Sequence, residues 1–235
     1  MKVLIFFILF NSILFPQSSD FFAKTNKFLK SHVINGKVNY EQILRNPDDL
    51  DSLVSMISEF RLKTASDKQY KKALLINTYN LLVIKNVIDN YPVKNPLKIK
   101  GFFKDITFNV GGKTVTLDKL EHEMLFPIDK DPRLHFVLVC AAKGCPILLP
   151  KAYTPENLEE EIRNKTIATL NNPRYVKVEE NNIYLSELFK WYRIHFGGNE
   201  KGVINFINDY RESKLPENTD ISYMKYDWSI NELKE

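Results

Sequence analysis

The spacing of apolar residues along the chain predicts a series of amphipathic helices. Apolar positions recur every three or four residues over 20–31 and 50–60, and a longer helix is predicted from Asp67 to about Asn90. That helix should end before Tyr91-Pro92, because proline disfavours helical backbone in the residue before it. Shorter helices are predicted over 119–126 with Asp118 as the cap, from Thr154-Pro155 onward, and over 186–196 and 201–210.

Alternating patterns between these helices predict short strands. Residues 106–117 should form a hairpin around Gly111-Gly112, and residues 175–185 a second hairpin. The apolar run 134–140 predicts a buried strand that leads into a loop, and 221–228 predicts a weak last strand. Because helices and hairpins are intermixed without regular strand–helix–strand units, the predicted fold class is α+β, in a single domain.

The N-terminus has the layout of a secretory signal. Met1-Lys2 precedes an apolar run over 3–15, and small polar residues follow over 16–19. This run is shorter than the roughly 20 apolar residues of a membrane span. We therefore expect a signal peptide over 1–19 and a mature domain over 20–235, in a secreted or periplasmic protein without a membrane span once the signal is removed.

The charge of the chain gives no support to nucleic-acid binding. Lys and Arg number 33 against 29 Asp and Glu, and the net charge of +4 is spread without a dense basic block. No cofactor is indicated by the sequence. The expected partner is a small-molecule or peptide-like substrate.

Both cysteines lie close together, in the segment from Cys140 to Cys145. In an oxidising compartment two cysteines tend to pair, but five positions of separation allow a disulfide only in special geometry. If one thiol is a nucleophile, Cys145 is favoured, since Gly144 permits close approach and Lys143 would favour the thiolate. Cys140, at the end of the predicted strand, is expected to pack as a small apolar residue that borders the site. The choice between disulfide and free thiol stays open.

A histidine and an acidic turn supply the candidate acid–base groups. His135 opens the predicted strand and could act as a base for the thiol, or simply be a buried histidine bonded to a carbonyl. Glu121 or His122 could orient His135, as an acidic group does in triad enzymes. The alternative for Glu121 is a helix cap, because Asp118 and Glu121 have capping-box spacing.

The predicted long helix carries two amides on one face. Asn77 and Asn80 are three residues apart, with Tyr79 between them, and all three are predicted binding residues. The alternative is that the amides tie down nearby backbone, as most buried polar side chains do. A zinc site built from His122, His135, Cys140 and Cys145 would match no common ligand spacing, so no metal is expected.

Taken in order, these landmarks make the chain similar to the domain-of-unknown-function family number 547, over roughly Asn26 to Asn231. The landmarks are Gly36 to Tyr40, Ile76 to Asn80, Leu117 to His122, His135 to Cys140 with Gly144-Cys145-Pro146, Leu185 to Tyr192, and Tyr226 to Asn231. Two positions depart from the family pattern: Leu74-Leu75 replaces an aromatic, and His195 stands where aspartate is common. The resemblance implies kinship with papain-like cysteine hydrolases, and the order Glu121, His135, Cys145 suits a rearranged form of that fold.

Two functions are weighed equally. The first is an exported thiol hydrolase of amide or ester bonds, in which Cys145 attacks a carbonyl and His135 moves the proton. The second is a non-catalytic exported binding or scaffold domain, in which Cys140 and Cys145 are structural.

Overall fold

The computed structural model of the protein describes residues 16–62, 67–179, 182–216 and 220–234. The apolar run of the predicted signal peptide lies outside these residues. Across the described ranges, no helix combines the length and the apolar character that crossing a bilayer requires.

Helices and short sheets alternate along the described chain, which confirms the α+β class. The helices are α1 (Pro16–His32), α2 (Tyr40–Arg45), α3 (Asp48–Ser58), α4 (Lys68–Asp89), α5 (Leu117–Lys119), α6 (Leu158–Leu170), α7 (Glu187–Trp191) and α8 (Glu200–Asn208). The strands are β1 (Val33–Ile34), β2 (Lys37–Val38), β3 (Thr107–Val110), β4 (Lys113–Thr116), β5 (Val176–Glu179), β6 (Asn182–Ser186) and β7 (Ile221–Met224).

Helix α4 is the central element of the fold. The carboxylate of Asp67 caps it by accepting from the backbone N–H groups of Gln69 and Tyr70. Nearly every residue from Lys72 to Ile88 is buried, on all sides of the helix. A helix that is apolar all round needs neighbours all round, and α2, α3 and the segment after α5 pack against it.

Apolar side chains form two packed clusters. The larger surrounds α4 and includes α1, α3 and the cysteine loop. The smaller is built around Phe136 from α7, α8 and the sheet β5–β6–β7, in which β5 pairs antiparallel and β7 parallel with β6. Both predicted hairpins are therefore present, and β3 pairs with β4 as expected, with Thr107 opposite Thr116.

The predicted strand over 134–140 is wrong. Residues Pro132–Phe136 form a 3₁₀ helix, started by the Asp131 side chain and by proline at its first position. After this 3₁₀ helix, the backbone forms hydrogen bonds with a side chain and not with a neighbouring strand. Asn80 donates to the carbonyl of Val137 at 2.9 Å and accepts from the N–H of Val139 at 3.0 Å. A buried amide thus replaces the ladder that a strand would need.

Three predicted helix boundaries also need correction. Thr116, and not Asp118, caps the helix that starts at Leu117. Thr154 and Asn157 form a turn with each other, so α6 starts at Leu158. Helix α7 ends at Trp191, well before the predicted end at Phe196.

Candidate functional site

A cleft of about 350 Å³ lies where the two apolar clusters meet. Its volume is that of a site for a small molecule or one residue of a polymer. The lining combines aliphatic and aromatic side chains with a few polar groups: Tyr79, Leu97, Phe103, Lys104, Asp118, Glu121, His122, His135, Leu138, Val139, Cys140, Cys145, Pro146, Leu188, Trp191, Tyr192, Tyr226 and Trp228.

The cleft brings together most of the residues singled out from the sequence. All four predicted catalytic residues line it, namely Cys145, His135, Glu121 and His122. Of the predicted binding residues, Tyr79 and Cys140 line it as well. The remaining three, Asn77, Asn80 and Lys143, lie outside its lining.

The two cysteines are joined by a disulfide at the edge of the cleft. The Sγ atom of Cys145 accepts from the backbone N–H of Cys140 at 2.9 Å and from the hydroxyl of Tyr226 at 3.1 Å. The same hydroxyl lies 3.1 Å from the Cys140 sulfur. Between them Ala141 has φ +59°, a left-handed backbone that is uncommon for a residue with a side chain. In this state Cys145 is no nucleophile, and a thiolate there would have two hydrogen-bond donors after reduction.

Residues 226–233, here called the closing segment, hold the cysteine loop in place. The N–H groups of Lys143 and Gly144 donate to the carbonyls of Ser229 and Asp227, each at 2.8 Å. Gly144 is needed because a Cβ there would lie 2.9 Å from the Tyr226 ring. The closing segment therefore sets the position of both sulfurs.

The far side of the loop is fixed by two further side chains. The hydroxyl of Tyr175 donates to the carbonyl of Cys145 at 2.7 Å. The amine of Lys165 donates to the carbonyl of Ile147, and burial lowers the pKa of this lysine to about 8.

Glu121 reaches the cleft from a π-helical segment, Leu120–Leu125, which follows α5. Such segments place side chains off the regular helical spacing and are frequent at functional sites. Burial raises the pKa of Glu121 to about 6, although a hydrogen bond with Tyr79 and the nearby His122 oppose the shift. Glu121 is therefore no cap, and its carboxyl is poised to exchange a proton near neutral pH.

His135 is buried between aromatic rings, with 3 % of its surface exposed. Tyr192 stacks on it with ring centroids 3.7 Å apart. Its Nε2 atom lies 2.7 Å from Nδ1 of His195, and its Nδ1 atom lies 3.7 Å from Oε1 of Glu121. Burial, reinforced by His195, lowers the pKa of His135 to about 3, so its ring is neutral at physiological pH.

His122 has different surroundings on the same side of the cleft. Its side chain is 44 % exposed, and its Nδ1 atom lies 3.0 Å from the carbonyl of Asp118. The Asp118 carboxylate lies 4.0 Å from the same nitrogen. A carbonyl can only accept, so Nδ1 carries the hydrogen and the neutral ring has its lone pair on Nε2.

The two buried amides of α4 bond to backbone and not to the cleft. Asn77 donates to the carbonyls of Ala73 and Tyr153 and accepts from the N–H of Tyr153. Asn80 holds the residues just before Cys140, as described above. Asn80 is therefore a positioning residue for a segment that lines the cleft, whereas Asn77 fixes the backbone at Tyr153, outside the cleft lining. The Lys143 side chain is exposed, and only its backbone joins the loop contacts.

The sequence argument missed the aromatic wall and His195. Trp191, Tyr226 and Trp228 pack against one another with ring centroids 4.7–5.6 Å apart, and Trp191 is still 45 % exposed. In the sequence, His195 stood out only because it departs from the family pattern. That departure gave no indication that His195 contacts His135.

The part of the chain that the structure describes contains no cluster of side chains suited to bind a metal ion. No group of three or more His, Cys, Asp or Glu side chains there has the geometry to hold an ion.

Comparison with known proteins places part of this chain in a family. A family model described as "Protein of unknown function, DUF547" matches residues 62–168, which confirms the resemblance found in the sequence over that region. No curated protein and no solved structure matches the chain. The matched region contains both cysteines and both cleft histidines, and the family description assigns no activity.

Proposed function

We propose that this protein, whose residues 62–168 are a DUF547 region, is an exported thiol hydrolase of amide or ester bonds. The observation that carries the proposal is the convergence of Cys145, His135, Glu121 and His122 on one cleft of about 350 Å³. These residues come from three separate stretches of the sequence. A purely structural role for each of them would not require a common cavity.

The enzyme is active once the disulfide is reduced. A dithiol reductant converts the Cys140–Cys145 disulfide into two thiols and is itself oxidised to a disulfide. The Cys145 thiolate then accepts hydrogen bonds from the N–H of Cys140 and from Tyr226, which favour the charged form.

The hydrolytic cycle has two steps. The Cys145 thiol gives its proton to a cleft imidazole, and its sulfur forms a bond to the carbonyl carbon of the substrate. The tetrahedral adduct expels the amine or alcohol, which takes the proton from the imidazolium and leaves a thioester. Water then gives a proton to the imidazole and attacks the thioester carbon, so that the acid is released and the thiol is restored.

Turnover of activated esters and anilides by the reduced protein tests this function. We expect hydrolysis only after dithiol treatment, with an acyl group on Cys145 detected by mass spectrometry of the quenched protein. Cys145→Ala should lose at least a hundredfold in rate, on the order of losses seen for covalent nucleophiles. Cys140→Ala should turn over without added reductant. Turnover that survives Cys145→Ala, or the absence of an acyl adduct in the reduced protein, contradicts the proposal.

The disulfide itself favours a second candidate, a non-catalytic exported binding domain. In that case the sulfur–sulfur bond persists as a structural link and the cleft holds a ligand without changing it. Intact mass of the unreduced protein, followed by thiol counting after mild dithiol treatment, separates the two. A bond that resists mild reduction in the folded protein supports the binding domain, and ready reduction supports the hydrolase.

Export rests on the charged start and the apolar run over 3–15. N-terminal sequencing of the protein recovered outside the cytoplasm tests it, and the expected mature chain begins near Asp20. Recovery of the chain inside the cell with Met1 still in place would contradict export.

A further inference from the structure

The two cleft histidines differ in what their ring nitrogens can do. Both nitrogens of His135 face other polar side chains, with Nε2 toward His195 and Nδ1 toward Glu121. Tyr192 covers one face of the ring, and Phe126 lies 5.4 Å away. Both nitrogens of His135 are thus directed at other side chains, and the ring would carry a charge in a buried aromatic environment if it took a thiol proton.

His122 offers the opposite arrangement. Its Nδ1–H is directed to the Asp118 carbonyl one helical turn earlier, which leaves the lone pair on Nε2. Within the described ranges Nε2 has no hydrogen-bond partner. The side chain is 44 % exposed and lines the same cleft as Cys145. The Asp118 carboxylate, 4.0 Å from Nδ1, would stabilise the ring when it becomes an imidazolium.

We propose that His122 is the catalytic base that takes the proton of the Cys145 thiol, with Asp118 as its positioning residue. This assignment rests on the proposed hydrolase function. His135, the candidate base named from the sequence, instead contacts Glu121, Tyr192 and His195 at the wall of the cleft.

The proton transfer is a simple exchange. The S–H bond of Cys145 breaks, its electron pair stays on sulfur as the thiolate, and the proton binds Nε2 of His122. The product is a thiolate–imidazolium pair, in which the Asp118 carbonyl keeps its hydrogen bond from Nδ1. No electron leaves the pair, so no redox partner is needed in this step.

Other charged groups around the cleft influence the same equilibrium. Besides His122 and Cys145, the titratable side chains that line the cleft are those of Lys104, Asp118, Glu121, His135, Tyr79, Tyr192 and Tyr226, and His195 lies behind His135. A pH profile must therefore compare variants within one background.

The rate of alkylation by iodoacetamide measures thiolate directly and needs no substrate. The background is Cys140→Ala, which leaves Cys145 as the single cysteine of the chain. We expect His122→Gln to lower the alkylation rate at pH 7 at least about tenfold and to move the midpoint of the rate–pH profile upward. Asp118→Asn, which keeps the carbonyl but removes the charge, should shift the midpoint in the same direction by less. Glu123→Gln, an exposed neighbour outside the cleft lining, is the matched control and should change nothing.

If His122→Gln leaves the midpoint of the rate–pH profile unchanged, the assignment is overturned, whatever effect His135→Gln has on that midpoint. If His122→Gln does not fold, nitrogen NMR of the Cys140→Ala protein identifies the tautomer of neutral His122. A hydrogen on Nδ1 supports the assignment, and a hydrogen on Nε2 overturns it. The two proposals fail separately. A His122-dependent thiolate without hydrolysis refutes only the enzymatic function, and hydrolysis with a His122-independent thiolate refutes only the base.

Discussion

Residues 62–168 and the region from residue 169 onward contribute different chemistry to one cleft. The first region supplies every carboxylate, imidazole and sulfur that lines it. The second supplies Leu188 and the aromatic side chains of Trp191, Tyr192, Tyr226 and Trp228. The reactive groups come from segments packed around the buried helix α4. The wall is shared between the clusters, because Leu188 and Tyr192 pack in the smaller one, whereas Tyr226 and Trp228 pack with the larger one.

This difference predicts how each region tolerates change. The groups around α4 are held by buried hydrogen bonds, so substitutions there should act on stability and on protonation. The wall at Trp191 is partly exposed, so substitutions there should act on ligand affinity alone.

The largest effect is expected for Asn80→Leu. The substitution leaves the carbonyl of Val137 and the N–H of Val139 buried without partners. At about 1–3 kcal/mol for each of the two unsatisfied groups, the free energy of unfolding should fall by roughly 2 kcal/mol or more. Urea unfolding measures it, with Asn164→Leu, the same substitution at an exposed position of α6, as the control. A loss below about 1 kcal/mol would contradict the role assigned to Asn80.

The next effect is a change in the pH dependence of stability in Glu121→Gln. Because burial raises the pKa of Glu121 from 4.5 to about 6, the folded state binds this proton more tightly than the unfolded state. The stability from this group is full below pH 4.5 and is lost as pH rises through 6, a difference of about 2 kcal/mol. Glutamine cannot ionise, so the stability of the variant relative to the native protein should increase between pH 4.5 and 7. Denaturant midpoints at both pH values test this, and a constant difference would refute the buried carboxyl.

Trp191→Ala probes the aromatic wall. We expect KM for an aromatic ester to rise about tenfold while kcat stays within about threefold, because a ring contact made equally before and during reaction affects binding only. Ile194→Ala, at an exposed residue outside the cleft lining, is the control and should alter neither constant. A fall in kcat with KM unchanged would place Trp191 among the reacting groups instead.

The smallest effect is expected for His195→Asp. The positive charge that His195 can carry lowers the pKa of His135, and a carboxylate at that position should raise it. NMR titration of the His135 ring measures the change. An unchanged titration would show that His195 does not influence the protonation of this histidine.

The sequence was a good guide to elements whose cause is local. The cap at Asp67, the apolar pattern of α4 and the Gly111-Gly112 turn each lie within the segment that they organise. The prediction of a strand over 134–140 was wrong because the group that bonds its backbone, the side chain of Asn80, is more than fifty residues away in the sequence. The same limit explains the site. The candidate residues were identified by type, but the pairing of Nε2 of His135 with His195 depends on a fold that brings positions 60 residues apart together.

The closing segment has a consequence for biosynthesis. The N–H of Asn231 donates to the carbonyl of Ala141, and its carbonyl accepts from the N–H of Val38. The side chain of Asn231 accepts a hydrogen bond from the hydroxyl of Tyr40 at 2.7 Å. The cysteine loop therefore cannot gain these hydrogen bonds before residues 227–231 have been synthesised. We expect the final geometry of the two sulfurs to be acquired after translation of this segment, and not while α4 and the loop alone are available.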